Sequence, residues 1–496
     1  MIAPSLVEFE ELCRTNNLVP LFMEIPGDLD TPLSAFLKVD DGRNSFLLES
    51  VEGGERWARY SLLGSEPRMV VHWKGDRAEV STNDASHIIS GVSDPTALIK
   101  HMMSRYRPAA VPGLPKFFGG AVGFLSYDVV RRFERLPDLG KPDPGFHDAV
   151  FLLTRDMVIF DNLSHKIMLI TTVSPDDFSS VKQAYEEGRV RLRSLEERMR
   201  LSPARPPSLC IPSEPVEFSS NMSAGQFEAM VREAKEFIRA GDVIQVVLSQ
   251  RFNATLVADP LDVYRGLRMI NPSPYMFFLR VGDEVLAGSS PEVMVRLRNG
   301  EAVVRPIAGT RARGTNQAQD EELERELLAD EKESAEHVML VDLARNDLGR
   351  IAEPGSVTVD AFKTVERYSH VMHMVSNVRA KPSDKHDAFD ILRATFPAGT
   401  LTGAPKIRAM EIIERLEPEH RGPYGGCVGY FAYTGSMDMC ITIRTVTMKG
   451  NQAFFQAGAG IVADSIPERE YEETMRKAEA MRKALALAGS FGRRSL

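Results

Sequence analysis

Between Leu201 and Ser223 the chain reads LSPARPPSLCIPSEPVEFSSNMS, with five prolines in one short stretch. Proline fixes φ and lacks an N–H, so neither a helix nor an interior strand can run through such a segment. It follows directly on a charged helical pattern, AYEEGRVRLRSLEERMR, and it divides the chain into an N-terminal region 1–200, a linker 201–223 and a second domain 224–490. Upstream, the alternating runs RNSFLLES, RMVVHWKG and HKIMLITTV predict strands among helices. The reading is an α+β fold.

Bulk properties exclude several classes. With 496 residues, 43% of them hydrophobic, the chain can bury a large core. A net charge of −9 provides no electrostatic footprint for nucleic acid, and no apolar run of about 18 residues is present to cross a membrane. The first residues, MIAPSLVEFEELCR, lack the basic-then-apolar order of a signal peptide, so the expected compartment is the cytoplasm. Cysteines at 13, 210, 427 and 440 form no C-x-x-C pair, which favours reduced thiols and gives no support for zinc.

Two segments place acidic residues on apolar faces. Ala318 to Arg350 has no Pro or Gly before Gly349 and predicts one long helix, on which Glu333, Glu336, His337 and Leu340 share a stripe. The C-terminal pattern opens with Ser465-x-x-Glu468, a capping-box signature, and aligns Glu470, Glu473 and Lys477 with Ala480 and Ala484. Inward carboxylates are costly unless a cation compensates them. Glu336 and Glu473, one from each helix, therefore offer an oxygen-only site suited to Mg²⁺.

Other motifs mislead. GAGIVA (458–463) matches a dinucleotide fingerprint but leads into DSIP rather than a helix, and GTLTGAPK lacks the spacing of a phosphate loop. GGCVG imitates a nucleophile turn, yet Cys427 reads as a small buried residue. RPIAGTR (305–311) sets Gly309 and Thr310 between two arginines, which predicts an anion-binding turn with Ala308 at its centre.

Taken in order, GDVIQVVLSQRF, GSSPE, RPIAGTRARG, DEKESAEHVMLVDLARNDLGR, VMHMVS, FPAGTLTGAPK, YGGCVGYF, ITIRT and QAGAGIVADSIPEREYEET closely resemble the chorismate-utilising enzymes across nearly the whole second domain. The resemblance is strongest to the branch that forms anthranilate. It implies a layered sandwich of antiparallel sheets with helices outside, an N-terminal regulatory part packed on a chorismate-binding part. Members with a lysine nucleophile carry it where this chain has Ala308, and members that activate water carry a lysine where it has Gln245. With neither, the implied nucleophile is ammonia, which once neutral needs no such activation.

By the same resemblance Mg²⁺ on Glu336 and Glu473 holds the ring carboxylate of chorismate, Glu292 is the acid for the leaving C4 hydroxyl, and Glu333 is the base at C2. His373 lies near the reacting ring, and Gly309 and Thr310 contact a substrate carboxylate. Tyr424, Arg444, the Gly458–Ala459–Gly460 backbone and Lys477 complete the substrate shell, with Arg444 expected on a strand face beside Cys440 and Thr442. Glu49 and Ser50, with Pro274, Tyr275 and Met276, are expected to bind tryptophan as inhibitor, coupled to the chemistry by domain rotation. The Cys/His/Glu set of a glutaminase is absent, so a separate glutamine amidotransferase subunit is implied, in a heterotetramer of two large and two small subunits. The alternatives are an aminase that stops at aminodeoxyisochorismate and a tryptophan-binding regulatory protein on the same scaffold.

Overall fold

The computed structural model describes residues 2–50, 59–82, 85–142, 145–201, 216–256, 258–368 and 371–491. Most of the predicted linker, 202–215, lies outside them. Two large antiparallel sheets pack face to face, with helices on both outer surfaces, as the resemblance implied.

Each sheet is built from both halves of the chain. The first runs from Val19–Pro26 through Lys166–Val173, Asp156–Asp161, Tyr60–Ser65 and Asn44–Glu49, and continues into Tyr275–Val281, Glu284–Ser290, Thr445–Lys449, Gln452–Ile461 and Gln245–Thr255. The second runs from Ile307–Ala312 through Val371–Ala380, Glu301–Val304, Val293–Arg298, Met437–Ile441 and Cys427–Ala432 into Gly120–Leu125, Ala149–Leu153 and Met69–Lys74. The halves join where Glu49 pairs with Met276 and where Leu125 pairs with Cys427.

Strand periodicity sorts the core into layers. Phe277 and Leu279 face the space between the sheets with Phe46, Phe124 and Val428, while Phe278 points outward to Phe36 and Tyr264 beneath the helices. Burying each such side chain contributes about 1.5–3 kcal/mol, and a one-residue slip would turn the whole set to the wrong face.

Two predicted features differ. The stretch expected as one helix is two, Gln317–Ala329 and Glu331–Gly349. Asp330 leaves the helical conformation (φ −70°, ψ 109°), and its carboxylate accepts from the N–H groups of Lys332 and Glu333. A short acidic side chain gains more as an N-cap than as an interior residue, so it starts a new helix with a new axis. Ser465 does not cap the C-terminal helix, which begins at Pro467; its hydroxyl accepts from Val462 N–H instead. No described helix is long and apolar enough to cross a membrane.

Candidate functional site

The strand Ile307–Ala312 carries the RPIAGTR motif against Val371–Ala380, and its register shifts between Ala308 and Thr310. Gly309 occupies the left-handed region there (φ 70°), where a side chain is strained. The shift sets Thr310 opposite His373, with Thr310 Oγ1 3.0 Å and the Gly309 carbonyl oxygen 3.2 Å from His373 Nδ1. Burial, and to a smaller extent Arg444, lowers the His373 pKa, against the pull of the Gly309 carbonyl; at neutral pH the imidazole is uncharged. The flanking arginines do not await an anion as the motif suggested. Arg305 pairs with Glu366 at 2.5 Å, and Arg311 binds Asp330 at 2.8 Å and Glu333 at 3.3 Å. What the turn exposes is Thr310 and the Gly309 backbone.

Glu333 and Glu336 project from the helix Glu331–Gly349 toward that turn and toward the C-terminal helix. A Cβ on Gly309 would stand 3.3 Å from Glu333 Oε2, so the glycine lets the backbone approach this carboxylate. Burial raises the pKa of Glu336, and the negative charges of Glu333 and Glu473 add to the rise, while a 3.3 Å hydrogen bond from Gln245 Nε2 opposes it. Glu470 is raised by burial and by Glu473 as well. Glu473 is not buried as its helical stripe suggested: its side chain is 41% exposed and pairs with Lys477 at 2.7 Å. Carboxylates from two helices thus act on one another, with Arg311, Lys332 and Lys477 offsetting part of their charge, and Gln245 adds a buried amide oxygen that has no protein partner. Hard oxygen donors whose mutual repulsion a dication would relieve fit Mg²⁺, which takes few protein carboxylates and completes its shell with water and substrate.

Glu292 ends the GSSPE motif. Its carboxyl is pushed up to about 8 by burial, with Thr400 and Arg444 pulling the other way. Arg444 is not on a strand face: it sits in the break between Met437–Ile441 and Thr445–Lys449, in the left-handed region (φ 49°), exposed, with Nη1 3.4 Å from Asn271 Oδ1. A non-glycine residue held there costs about 1–3 kcal/mol, a cost found where function fixes a side chain. Its charge acts on both Glu292 and His373, which places the three around one space.

The strand Gln452–Ile461 forms the floor. A Cβ on Gly458 would meet the Tyr424 hydroxyl at 2.8 Å, and one on Gly460 would meet Gln245 Nε2 at 2.4 Å. Lys477 Nζ donates to the Gly458 carbonyl at 2.8 Å. Ala459, between the glycines, turns its methyl into the core under the helices and offers the site only its backbone. Sequence reading missed the scaffold beneath. The buried guanidinium of Arg421 holds Glu417 by two hydrogen bonds and the carbonyls of Leu401 and Val247, and stacks near Tyr424. The signal available was EPEHRG (417–422), an acid and an arginine one helical turn apart. Cys427 is fully buried with its thiol pushed up to about 12, so it is no nucleophile.

A cavity lies away from these carboxylates, between the two sheets. It encloses about 1000 Å³, and Glu49, Ser50, Pro274, Tyr275 and Met276 all line it. Strand pairing of Glu49 with Met276 brings the two stretches together. Glu49 is buried, accepts from the Tyr264 hydroxyl and pairs with Arg268 at 3.3 Å. Tyr275 donates to Asp438 at 2.8 Å and accepts from Arg296 at 2.5 Å. Pro291 and Val293 face this cavity, while Glu292 between them lines a small pocket on the other side with Thr400 and Asp347. One short segment therefore separates the cavity from the raised acid.

Residues 51–483 match the family described as chorismate binding enzyme. Anthranilate synthase component 1 of Acetivibrio thermocellus is 44% identical over 99% of each chain, and that of Pseudomonas putida 48% identical over 95% of this chain and 96% of the relative. The crystal structure of anthranilate synthase component I from Streptococcus pneumoniae superposes with a TM-score of 0.76 at 36% identity, covering 92% of this chain and 98% of that one. The menaquinone-specific isochorismate synthase MenF of Escherichia coli shares the fold (TM-score 0.68) at 20% identity. With the motifs, the fold and these relatives in accord, the chain belongs to the chorismate-binding enzyme family.

Proposed function

We propose that this enzyme converts chorismate and ammonia into anthranilate, pyruvate and water, with Mg²⁺ on Glu336 and Glu473. The observation that carries the reading is the combination of Glu292, whose carboxyl burial pushes up to about 8, with a second group of carboxylates, Glu333, Glu336, Glu470 and Glu473, brought from two helices. A protonated carboxyl can serve as acid while other carboxylates serve as base or ligand in one reaction.

Magnesium would supply positive charge against the ring carboxylate and draw electron density from the ring. Ammonia forms a bond to C2, the ring double bonds shift, and the C4–O bond breaks as Glu292 gives its proton to the departing hydroxyl. Glu333 then takes the C2 proton as the ring C3–O bond breaks, the ring becomes aromatic, and the enolpyruvate released takes up a proton at its methylene carbon to become pyruvate. His373, uncharged and with Nδ1 held by Gly309 and Thr310, offers Nε2 as a hydrogen-bond acceptor at the C4 side. Ala308 and Gln245 leave no lysine to replace ammonia by a covalent or a water route.

The ammonia comes from a partner glutaminase, in a cytoplasmic assembly of two large and two small subunits. Tryptophan, the end product, occupies the cavity between the sheets, its ammonium group facing Glu49, and acts on Glu292 through the segment Ser290–Val293.

Anthranilate fluorescence from chorismate, Mg²⁺ and ammonium sulfate, with this chain alone, is the direct test. Product that vanishes on adding tryptophan supports the whole reading; a non-aromatic amine would move the chain to aminodeoxyisochorismate formation. Glu473→Gln should fold normally and lose turnover, and an active Gln variant with unchanged Mg²⁺ dependence would remove the metal assignment.

A further inference from the structure

The strand Thr358–Arg367 is interrupted opposite Ser376. Asp360 pairs with Asn377 and Thr364 with Val375, so residues 361–363 bulge against a single residue of Val371–Ala380. Both Ala361 (φ 50°) and Lys363 (φ 55°) lie in the left-handed region, and neither is glycine. Strain of this kind persists where surrounding contacts enforce it.

Those contacts lead to the acidic helix. Lys363 N–H leaves the ladder and donates to Ser376 Oγ at 2.9 Å, and its ammonium group crosses to Ser334 Oγ. The same Ser376 hydroxyl lies 2.6 Å from His337 Nε2, and Ser376 N–H donates to the Pro306 carbonyl at 3.2 Å. Ser376 and His337 are fully buried, and the other imidazole nitrogen has no protein partner. Ser334 and His337 lie beside Glu333 and Glu336, while Ser376 belongs to one of the two strands that set His373 against Thr310 and Pro306 directly precedes the other.

We infer that Lys363 and Ser376 are positioning residues: the bulge locks the helix carrying Glu333 and Glu336 to the strands carrying His373 and Thr310, fixing the distance between the two sides of the site. The inference rests on the proposed roles of those carboxylates. Groups that orient metal ligands from behind typically change affinity or activity by about 10- to 100-fold when removed.

Lys363→Gly isolates the effect, because glycine adopts this φ freely and relieves the strain while the ammonium link is lost. The expected result is an unchanged or higher melting temperature. With it, kcat with ammonium should fall about tenfold or more, and Mg²⁺ affinity, measured calorimetrically with chorismate and without ammonia, should weaken similarly. Ala361→Gly, which relieves strain but touches neither link, should leave kcat and Mg²⁺ affinity unchanged, with an unchanged or higher melting temperature. Ser376→Ala should reproduce the loss of Mg²⁺ affinity. A Lys363→Gly enzyme with native kcat and Mg²⁺ affinity overturns the inference, as does one whose activity falls only in step with its melting temperature. Glu473→Gln in the same calorimetry separates the premises: if it keeps its Mg²⁺ affinity, the carboxylate reading itself fails.

Discussion

Glu292 shows what a single residue owes to its setting. In GSSPE it is an ordinary glutamate; in the fold, burial raises its carboxyl to about 8, so the proton needed by a leaving hydroxyl is present at neutral pH. Its folded pKa lies above the ordinary 4.5, so its stabilising contribution is complete below that value and is lost as pH rises through about 8. At constant free ammonia, kcat/KM for chorismate should fall as pH passes about 8, and Glu292→Gln should lower it by about a hundredfold or more and remove that limb of the profile. A profile with the same limb in the Gln variant would assign the acid elsewhere. The motif order located this residue, but its acidity depends on neighbours such as Thr400 and Arg444. Arg444 was misplaced for a related reason: ITIRT alternates like a strand, and only the neighbouring Glu292, His373 and Asn271 explain why its backbone leaves the ladder.

At the scale of elements, pattern predicted faces better than ends. The stripe of Glu333, Glu336, His337 and Leu340 was legible because helical spacing fixes it, and His337 and Leu340 are indeed buried. The break at Asp330 was not, since a cap is decided by whether the following N–H groups find better partners, a competition that helix propensity does not record. The floor strand was legible as a chemical motif, but the reason for its glycines required the opposing side chains. Gly460→Ala places a methyl 2.4 Å from Gln245 Nε2, and Gln245 in turn donates to Glu336. That variant should melt within a few degrees of the parent and lose about tenfold or more in kcat/KM, through Glu336 displacement. Parent-like kinetics would mean that Gln245 yields without moving the carboxylate.

At the scale of the whole molecule, the proline-rich boundary suggested two packed units, while both sheets are shared between the halves. The two stretches proposed to bind tryptophan could be read only as separate motifs, because strand pairing of Glu49 with Met276 is a long-range contact that local pattern cannot supply. Because the cavity and Glu292 share the wall Pro291–Val293, tryptophan binding should alter catalysis through distortion of that wall as well as by rotation. Glu49→Gln keeps an acceptor for Tyr264 but removes the charge that, in the proposed binding mode, faces the ligand's ammonium group. It should weaken tryptophan inhibition by about 10- to 100-fold, the worth of a charged hydrogen bond, with kcat on ammonium unchanged. Equal inhibition of parent and variant would place the inhibitor elsewhere.

The interleaving also governs how the chain comes into being. As synthesis proceeds, Asn44–Glu49 and Gly120–Leu125 emerge long before Tyr275–Val281 and Cys427–Ala432, leaving open strand edges that invite pairing with other nascent chains. A gene split within the proline-rich stretch should yield two fragments that are each insoluble when expressed alone and active only when made together, so the segment that reads as a seam between domains is a place to cut the peptide but not the protein.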